Sequence, residues 1–299
     1  MFRKDHLDIV FTLSLAFIAP TARCADIEVL APKQANLNWH TDYTEATRAA
    51  KAAGRMLAIR FLDPNEQWAD SQFEAATLSD PAVAQQLERY TLARLDVDEE
   101  VTVDGQTIKV LDHPAFAEMK SRRGLAIIDF ASSDPTYRAR VVSAFPFSKD
   151  KYYTAKATQV ILDLPPGTLT QRTIIFAVRF HPESPGSTTG EFDPVLADEA
   201  ARHAWHQARI RLQGHHRWGT RFQRILHRMP DASSPQEVCA ESWPGETLVE
   251  AAIECVHSWR QSPGHWSAVR GQHPLFGYDI QRGNNGIWYA TGIFAGLRG

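Results

Sequence analysis

The order of the predicted elements in the first half of the chain constrains its fold more than any other feature. Apolar segments typical of strands alternate with helical stretches, and then two strands follow each other with only a short turn between them. In chain order we predict a helix over 41–53, a strand over 56–62, a helix over 80–90, strands over 91–98, 125–130 and 138–145, and a helix over 151–164. This order predicts an α/β fold in which helices cover both faces of a mixed sheet.

In order and spacing, residues 36–164 resemble the thioredoxin-like fold, here without its catalytic motif. The Cys-x-x-Cys of thioredoxins is expected after the strand that ends at Leu62, but no cysteine occurs between positions 25 and 238. Arg123 and Gly124 stand where a cis-proline is expected. Because thiol–disulfide exchange requires a thiolate, the resemblance implies a redox-inactive binding or scaffolding module.

The second half contains two motifs separated by a predicted helix. Residues 239–243 read Cys-Ala-Glu-Ser-Trp, and a Trp-x-x-Ser-Pro-x-His motif ends at His265. Between them, apolar residues recur at helical spacing over 246–259, so we expect Glu241 at the start of this helix and His265 at its end. A Gly-Asn-Asn-Gly turn at 283–286, between two apolar segments, then predicts a closing β-hairpin.

These motifs resemble the CAP superfamily of secreted SCP-like domains in its short bacterial form, which implies an α-β-α sandwich. Complete members of that family have a cleft of two histidines and two glutamates that in some members holds a divalent metal. The resemblance places Glu241, His265 and either His215 or His216 in this cleft, and Ser262 stands in place of the second glutamate. The walls of the cleft would be Ser242, Trp243, Trp266 and Trp288.

The carried-over residues have two interpretations. Two imidazoles and one carboxylate suit zinc with an open position for water, and a zinc-bound water could hydrolyse an ester or a peptide bond. Alternatively, a glutamate near a helix start and a histidine at a helix end are favoured by the helix dipole without any metal. A metal-binding cleft and a structural polar cleft are therefore both hypotheses for this half.

The chain of 299 residues is long enough for two domains. The first residues predict a secretory signal peptide: they are basic, an apolar stretch follows over 9–19, and small residues precede position 26. We predict a signal peptide over 1–25, a thioredoxin-like domain over 26–166, a junction over 167–190 with a strand at 173–180, and a CAP-like domain over 191–299.

Cysteine usage is interpreted in the light of the predicted export. Removal of Cys24 with the signal peptide would leave Cys239 and Cys255, an even pair that predicts a disulfide in an oxidising compartment. The alternative is two buried free thiols. Lipid attachment at Cys24 is the alternative to soluble export, although Arg23 stands where a small residue is expected.

Composition restricts the partners of the protein. The net charge is -3 and no basic run occurs, which argues against a nucleic-acid partner, and the apolar stretch near the start is too short to span a bilayer. We predict an exported, periplasmic or extracellular, non-catalytic protein that binds a protein or small-molecule ligand and could hold zinc. The alternative is a metal-dependent hydrolase that uses Glu241, His265 and His216, and a purely structural envelope protein is a third hypothesis.

Overall fold

The structure is a computed structural model that describes residues 37–103, 105–148 and 151–298. Its fold is mixed α/β, with two main sheets and helices that flank them, as the sequence predicts. The predicted signal peptide and Cys24 lie outside the described residues.

The elements of the first half follow the predicted alternation. Its helices are α1 (Tyr43–Ala53), α2 (Gln67–Phe73), α3 (Pro81–Leu87) and α4 (Ala155–Leu162). Its strands are β1 (Trp39–His40), β2 (Leu57–Leu62), β3 (Thr91–Asp96), β4 (Glu100–Val103), β5 (Gln106–Lys109), β6 (Gly124–Asp129) and β7 (Arg140–Pro146).

The first sheet has the strand order β1-β3-β2-β6-β7. Its strands β1, β3 and β2 are parallel, whereas β6 and β7 are antiparallel to their neighbours. Helix α1 begins after Asp42, whose side chain accepts a hydrogen bond from the Glu45 amide, and ends at Gly54 in the left-handed conformation. The predicted mixed sheet is confirmed, while the separate β4–β5 hairpin was not predicted.

The second half forms three layers, with a sheet between two layers of helices. Its helices are α5 (Leu169–Phe180), α6 (Pro194–Ile210), α7 (Trp218–Arg228), α8 (Leu248–Gln261) and α9 (Pro263–Arg270). Its strands are β8 (Glu191–Phe192), β9 (Ala232–Glu241), β10 (Leu275–Arg282) and β11 (Trp288–Leu297), in the order β8-β10-β11-β9. Helix α6 packs against β10 and β11, and α5 and α8 pack together and against the sheet. The predicted hairpin is confirmed, since β10 and β11 are antiparallel neighbours.

The strand predicted at 173–180 is wrong, because these residues belong to helix α5. The side chain of Thr168 caps the helix, and Gln171 returns a hydrogen bond to the Thr168 amide, which completes a capping box. Every residue from 171 to 178 is buried. A helix that is buried on all sides has no polar face, so its continuous apolar run has the appearance of a buried strand in sequence.

Helix α5 joins the two halves in one hydrophobic core. Phe176 of α5 contacts Phe145 of β7, with ring centroids 4.8 Å apart, and the same core cluster includes Trp259 and Tyr278 of the second half. The fully buried Arg172 of α5 donates hydrogen bonds to the Ser143 hydroxyl and to the Leu164 and Pro165 carbonyls. Helix α5 is thus a packed part of the core, and the described residues from 37 to 298 belong to one compact unit.

Candidate functional site

Strand β9 presents two chemically different faces. Cys239 lies opposite Thr291 of β11, whose hydroxyl accepts a hydrogen bond of 3.0 Å from Gln207 of α6. Because successive side chains of a strand point to opposite faces, Glu237 and Cys239 face α6. Val238 and Ala240 face the other way and belong to the hydrophobic core that also contains α8.

Four polar side chains meet on the α6 side of β9, and we call them the His–Glu–Cys cluster: His203, His215, Glu237 and Cys239. Glu237 Oε1 lies 3.0 Å from His215 Nδ1 and 3.9 Å from His203 Nε2. The Cys239 sulfur lies 3.8 Å from His215 Nδ1. One donor atom each of His203, Glu237 and Cys239 falls within 4.8 Å of the others. Residues far apart in sequence therefore bring nitrogen, oxygen and sulfur donor atoms close together on this face of β9.

The loop between α6 and α7 holds His215 in place. The Gly214 amide donates to Gln207 Oε1 at 3.0 Å, and Gln213 Nε2 donates to the Cys239 carbonyl at 3.1 Å. His203 Nε2 lies 2.9 Å from the Gly214 carbonyl oxygen. These bonds tie the two residues before His215 to both α6 and β9, which positions the backbone that carries its imidazole.

Burial controls the charges in the cluster. The side chains of Glu237 and His203 are each 1% exposed. The Glu237 carboxylate is neutralised by Arg221, whose Nε donates to Glu237 Oε2 at 2.6 Å. Burial lowers the pKa of His203 to about 4, against the opposing effect of Glu237, so its imidazole is neutral at neutral pH.

The thiol of Cys239 is not set up as a nucleophile. Burial, followed by the charge of Glu237, raises the pKa of the Cys239 thiol well above its usual range. Since the thiolate is the reactive form, the sulfur is protonated and inert at neutral pH. This sulfur would become a strong ligand if a metal ion displaced its proton.

His265, predicted for the cleft, lies beside His215. The Nε2 atoms of the two rings are 3.0 Å apart. Burial and the neighbouring His215 lower the pKa of His265. His216 takes a different direction, because its Nε2 contacts the Leu212 carbonyl and its ring lies near His206. Of the two histidines between which the sequence could not choose, His215 is the one beside His265.

Glu241 does not take the position that the sequence suggested. It is the last residue of β9 and is exposed, and among the described residues it forms no hydrogen bond or ion pair with His265. The helix begins only at Leu248, after a loop, with Thr247 as its cap and Glu250 completing a capping box. The expected placement of Glu241 at the helix start is corrected accordingly, and the acid that meets the histidines is Glu237.

The four predicted cleft-wall residues separate into different environments. Ser242 and Trp288 are buried together, since the Trp288 amide donates to the Ser242 hydroxyl at 3.1 Å. Trp266 is buried against His181, with ring centroids 4.9 Å apart, whereas Trp243 is 67% exposed. The structure therefore does not assemble these side chains into one wall.

The predicted disulfide is not formed. Cys239 and Cys255 are both free and buried. Cys239 faces α6 from β9, whereas Cys255 lies in α8 and packs with Val238 and Ala240 on the opposite face of the sheet. Because the sheet separates the two thiols, they have no geometry for a bond.

His203, Arg221 and Glu237 were not among the site residues predicted from the sequence. The available signal was alternation: reading 232–241 as a strand would have put Glu237, Cys239 and Glu241 on one face. His203 and Arg221 carry no such local signal, because they reach the cluster from two separate helices.

No helix in the described part of the chain has the length and apolar character needed to cross a membrane. No protein-family model and no curated protein matches the chain. Two solved structures are similar to parts of it. An outer surface protein from Borrelia burgdorferi is 21% identical over 36% of this chain and 78% of its own, with a TM-score of 0.31. A thioredoxin from Thermus thermophilus is 29% identical over 30% of this chain and 63% of its own, less than two thirds of that protein, with a TM-score of 0.22.

Proposed function

We propose that this protein is an exported metal-binding protein that holds a divalent transition metal of the zinc class at His203, Glu237 and Cys239, with His215 as a further ligand. The observation that carries the proposal is the convergence of nitrogen, oxygen and sulfur donors within 4.8 Å of one another. The described residues offer this set on one face of β9, next to the histidine pair that the sequence pointed to.

The distances within the cluster support a tetrahedral site. Zinc binds nitrogen and oxygen at roughly 2.0–2.2 Å and sulfur at about 2.3 Å, so its ligand atoms lie roughly 3.4–3.7 Å from one another. Three separations in the structure are near these values: 3.0 Å and 3.9 Å between Glu237 and the two histidines, and 3.8 Å between Cys239 and His215. Small side-chain shifts would therefore suffice to bring these atoms to zinc.

The donor chemistry favours zinc over harder cations. A cysteine sulfur with imidazole nitrogens selects zinc-class metals, whereas magnesium and calcium prefer oxygen. Arg221 binds Oε2 of Glu237 and leaves Oε1 facing the histidines. Arg221 would therefore orient Glu237 as a metal ligand without touching the metal itself. His203 would exchange its contact with the Gly214 carbonyl for a bond to the metal.

Burial of the cluster argues for binding rather than catalysis. Glu237 and His203 are closed to solvent, and His215 is 42% exposed. A metal with three or four protein ligands in such surroundings resembles a closed structural site, while a catalytic site keeps an open position for water. The alternative hydrolase needs Glu241 beside His265, and no contact between these two residues supports it.

The first half fits a scaffolding role within this proposal. Where a thioredoxin has its cysteines, Asp63 caps a short turn by accepting from the Asn65 amide. At the expected cis-proline position, Arg123 donates to Glu66 at 2.6 Å. Ion pairs thus occupy the region in which a redox site would lie, and the described part of this half contains no cysteine.

The test is zinc binding to untagged, chelator-stripped protein, measured by titration calorimetry and by elemental mass spectrometry. Cys239→Ala and Cys255→Ala are matched variants, because both remove a buried thiol from the same sheet region, on opposite faces. We expect near-stoichiometric zinc in the wild type, in Cys255→Ala and in Glu241→Gln, and at least a tenfold weaker affinity in Cys239→Ala and His203→Gln. Absence of zinc from the wild type, or equal loss in both cysteine variants, would refute the site.

A further inference from the structure

A second polar surface lies between helices α6 and α7. Two cavities of about 180 and 520 Å³ share Arg202, His206 and Arg224 in their linings. We call this surface the α6–α7 groove and define it by Arg202, Trp205, His206, His216, Arg217 and Arg224. Because the two cavities have residues in common, they form adjoining parts of one groove.

The lining of the groove is cationic. Of the described residues, it contains arginines 202, 217, 221 and 224 and histidines 203, 206 and 216, but no aspartate or glutamate. Three carboxylates behind the lining partner these arginines: Asp198 pairs with Arg202, Glu199 with Arg224, and Glu237 with Arg221. Four lining arginines against three carboxylates leave a positive excess at the groove, although the whole chain carries a net charge of -3.

Several guanidinium donors at the groove have no hydrogen-bond partner among the described residues. Arg202 uses only its Nε atom, which binds both oxygens of Asp198, so both of its terminal nitrogens are free of hydrogen bonds to the described residues. Arg224 uses Nε and one terminal nitrogen for Glu199. Arg217 is exposed and forms no ion pair within the described part of the chain. Arginine forks of this kind match the oxygens of a phosphate group.

Helix α7 adds a weaker contribution of the same sign. It begins after Arg217 without a side-chain cap, and Thr220 in its first turn lines the smaller cavity. The free amides of a first helical turn favour anions. The groove therefore combines a helix start with side chains that are already cationic.

Trp205 gives the larger cavity a flat apolar wall. Its side chain lines this cavity and is 58% exposed, which is unusual for a large aromatic residue. The Arg209 guanidinium lies 5.3 Å from its ring centroid and so stacks on the indole. An exposed indole beside arginines suits a ligand that has a ring next to its charged group.

We propose that the α6–α7 groove binds a small phosphorylated ligand, with the phosphate held by Arg202, Arg217 and Arg224 and a ring of the ligand stacked on Trp205. The smaller cavity has room for a phosphate group, and the larger one for the attached ring. The three arginines proposed to hold the phosphate lie outside the His–Glu–Cys cluster, although His203 and Arg221 also line the smaller cavity, so the groove adjoins the proposed metal centre.

The experiment is titration calorimetry of the whole protein with adenosine monophosphate, adenosine and inorganic phosphate, in phosphate-free buffer containing a chelator. The chelator removes any metal, so a phosphate signal cannot come from the His–Glu–Cys cluster. We expect adenosine monophosphate to bind at least tenfold more tightly than adenosine. Arg202→Ala and Arg217→Ala should each weaken binding of both phosphate compounds about tenfold. Trp205→Ala should weaken only the nucleotide.

The matched control is Arg270→Ala, which removes an exposed arginine from α9, outside the groove. All the substituted residues are exposed or half-buried, and unchanged melting temperatures will confirm that the variants fold. The proposal is overturned if neither phosphate compound binds, or if Arg270→Ala weakens binding as much as Arg217→Ala. Much tighter binding of a ten-nucleotide oligomer than of the mononucleotide would also overturn it, in favour of a nucleic-acid surface.

Discussion

Asp279, in the middle of β10, is a buried carboxylic acid, and its replacement by asparagine should gain stability relative to the wild type as the pH rises from 4 to 7.5. The residue is 2% exposed, and its Oδ1 accepts hydrogen bonds from the Ile280 amide at 2.6 Å and from Gln281 Nε2 at 3.1 Å. No lysine or arginine forms an ion pair with it within the described residues. Burial raises its pKa to about 6, although hydrogen bonds, first among them that of Thr170, act in the opposite direction.

The magnitude follows from linkage between protonation and folding. An unfolded aspartate has a pKa of 3.8, so between that value and about 6 the unfolded chain loses a proton that the folded chain keeps. The stabilising effect of the protonated acid is therefore present below pH 4 and is lost as the pH rises through 6. At about 1.36 kcal/mol for each pKa unit, this loss amounts to ~3 kcal/mol. Asp279→Asn keeps the carbonyl acceptor and removes the titration.

The assay is urea unfolding of the wild type, Asp279→Asn and the control Glu88→Gln, which changes an exposed carboxylate, at several pH values from 4 to 7.5. We expect the free energy of unfolding of Asp279→Asn, relative to the wild type, to rise by up to ~3 kcal/mol over this range. The relative stability of Glu88→Gln should change little. A difference between Asp279→Asn and the wild type that stays constant with pH would refute the reasoning, because it would mean that burial does not raise the pKa of Asp279.

Other predictions concern packing, charge and thiol chemistry. Gly277→Ala should destabilise the fold by ~3 kcal/mol, because the added Cβ would lie 2.2 Å from the Ala197 amide nitrogen of α6. The control is Gly219→Ala, whose added Cβ meets open space. In thermal melts this control should be neutral or stabilising. Arg221→Met should cost ~3 kcal/mol or more in urea unfolding, because it leaves Glu237 buried without its cation, and excess zinc should reduce this loss. In a Cys24→Ser background, a reductant should leave the melting temperature unchanged, because Cys239 and Cys255 are free thiols. A thiol reagent should modify these two cysteines only after unfolding. A melting temperature that depends on the reductant would contradict the free thiols. Zinc at about 100 times its Kd should raise the free energy of unfolding of the wild type by ~2.7 kcal/mol, and a chelator should reverse the effect.

The first sheet and the closing hairpin could be predicted because their sequence signals are local. Apolar strands bounded by turn residues, a capped helix at Asp80 and the Gly-Asn-Asn-Gly turn each act over a few residues. These elements agree with the structure because tertiary packing reinforces what the local sequence already favours.

Strand β9 could not be recognised in this way, and the candidate site was displaced as a result. Its sequence is polar and contains Pro235, which reads as a loop. As the outermost strand of its sheet, β9 tolerates a proline that a central strand would exclude. Because the sequence does not show this strand, it places Glu241 at a helix start and does not point to Glu237. The approach of His203 to Glu237 depends on the packing of α6 against the sheet, and no local pattern encodes it.

The burial of helix α5 on every side has a consequence for how this chain can be divided. The Gln171–Val178 stretch is buried on every side by residues of both halves, so a fragment that holds only one half exposes its apolar residues together with the Arg172 guanidinium. Separate expression of residues 37–166 and 167–298 should therefore yield insoluble or mutually dependent pieces, and the intact protein should unfold in a single step. The first half would then be retained because the other half cannot fold without it.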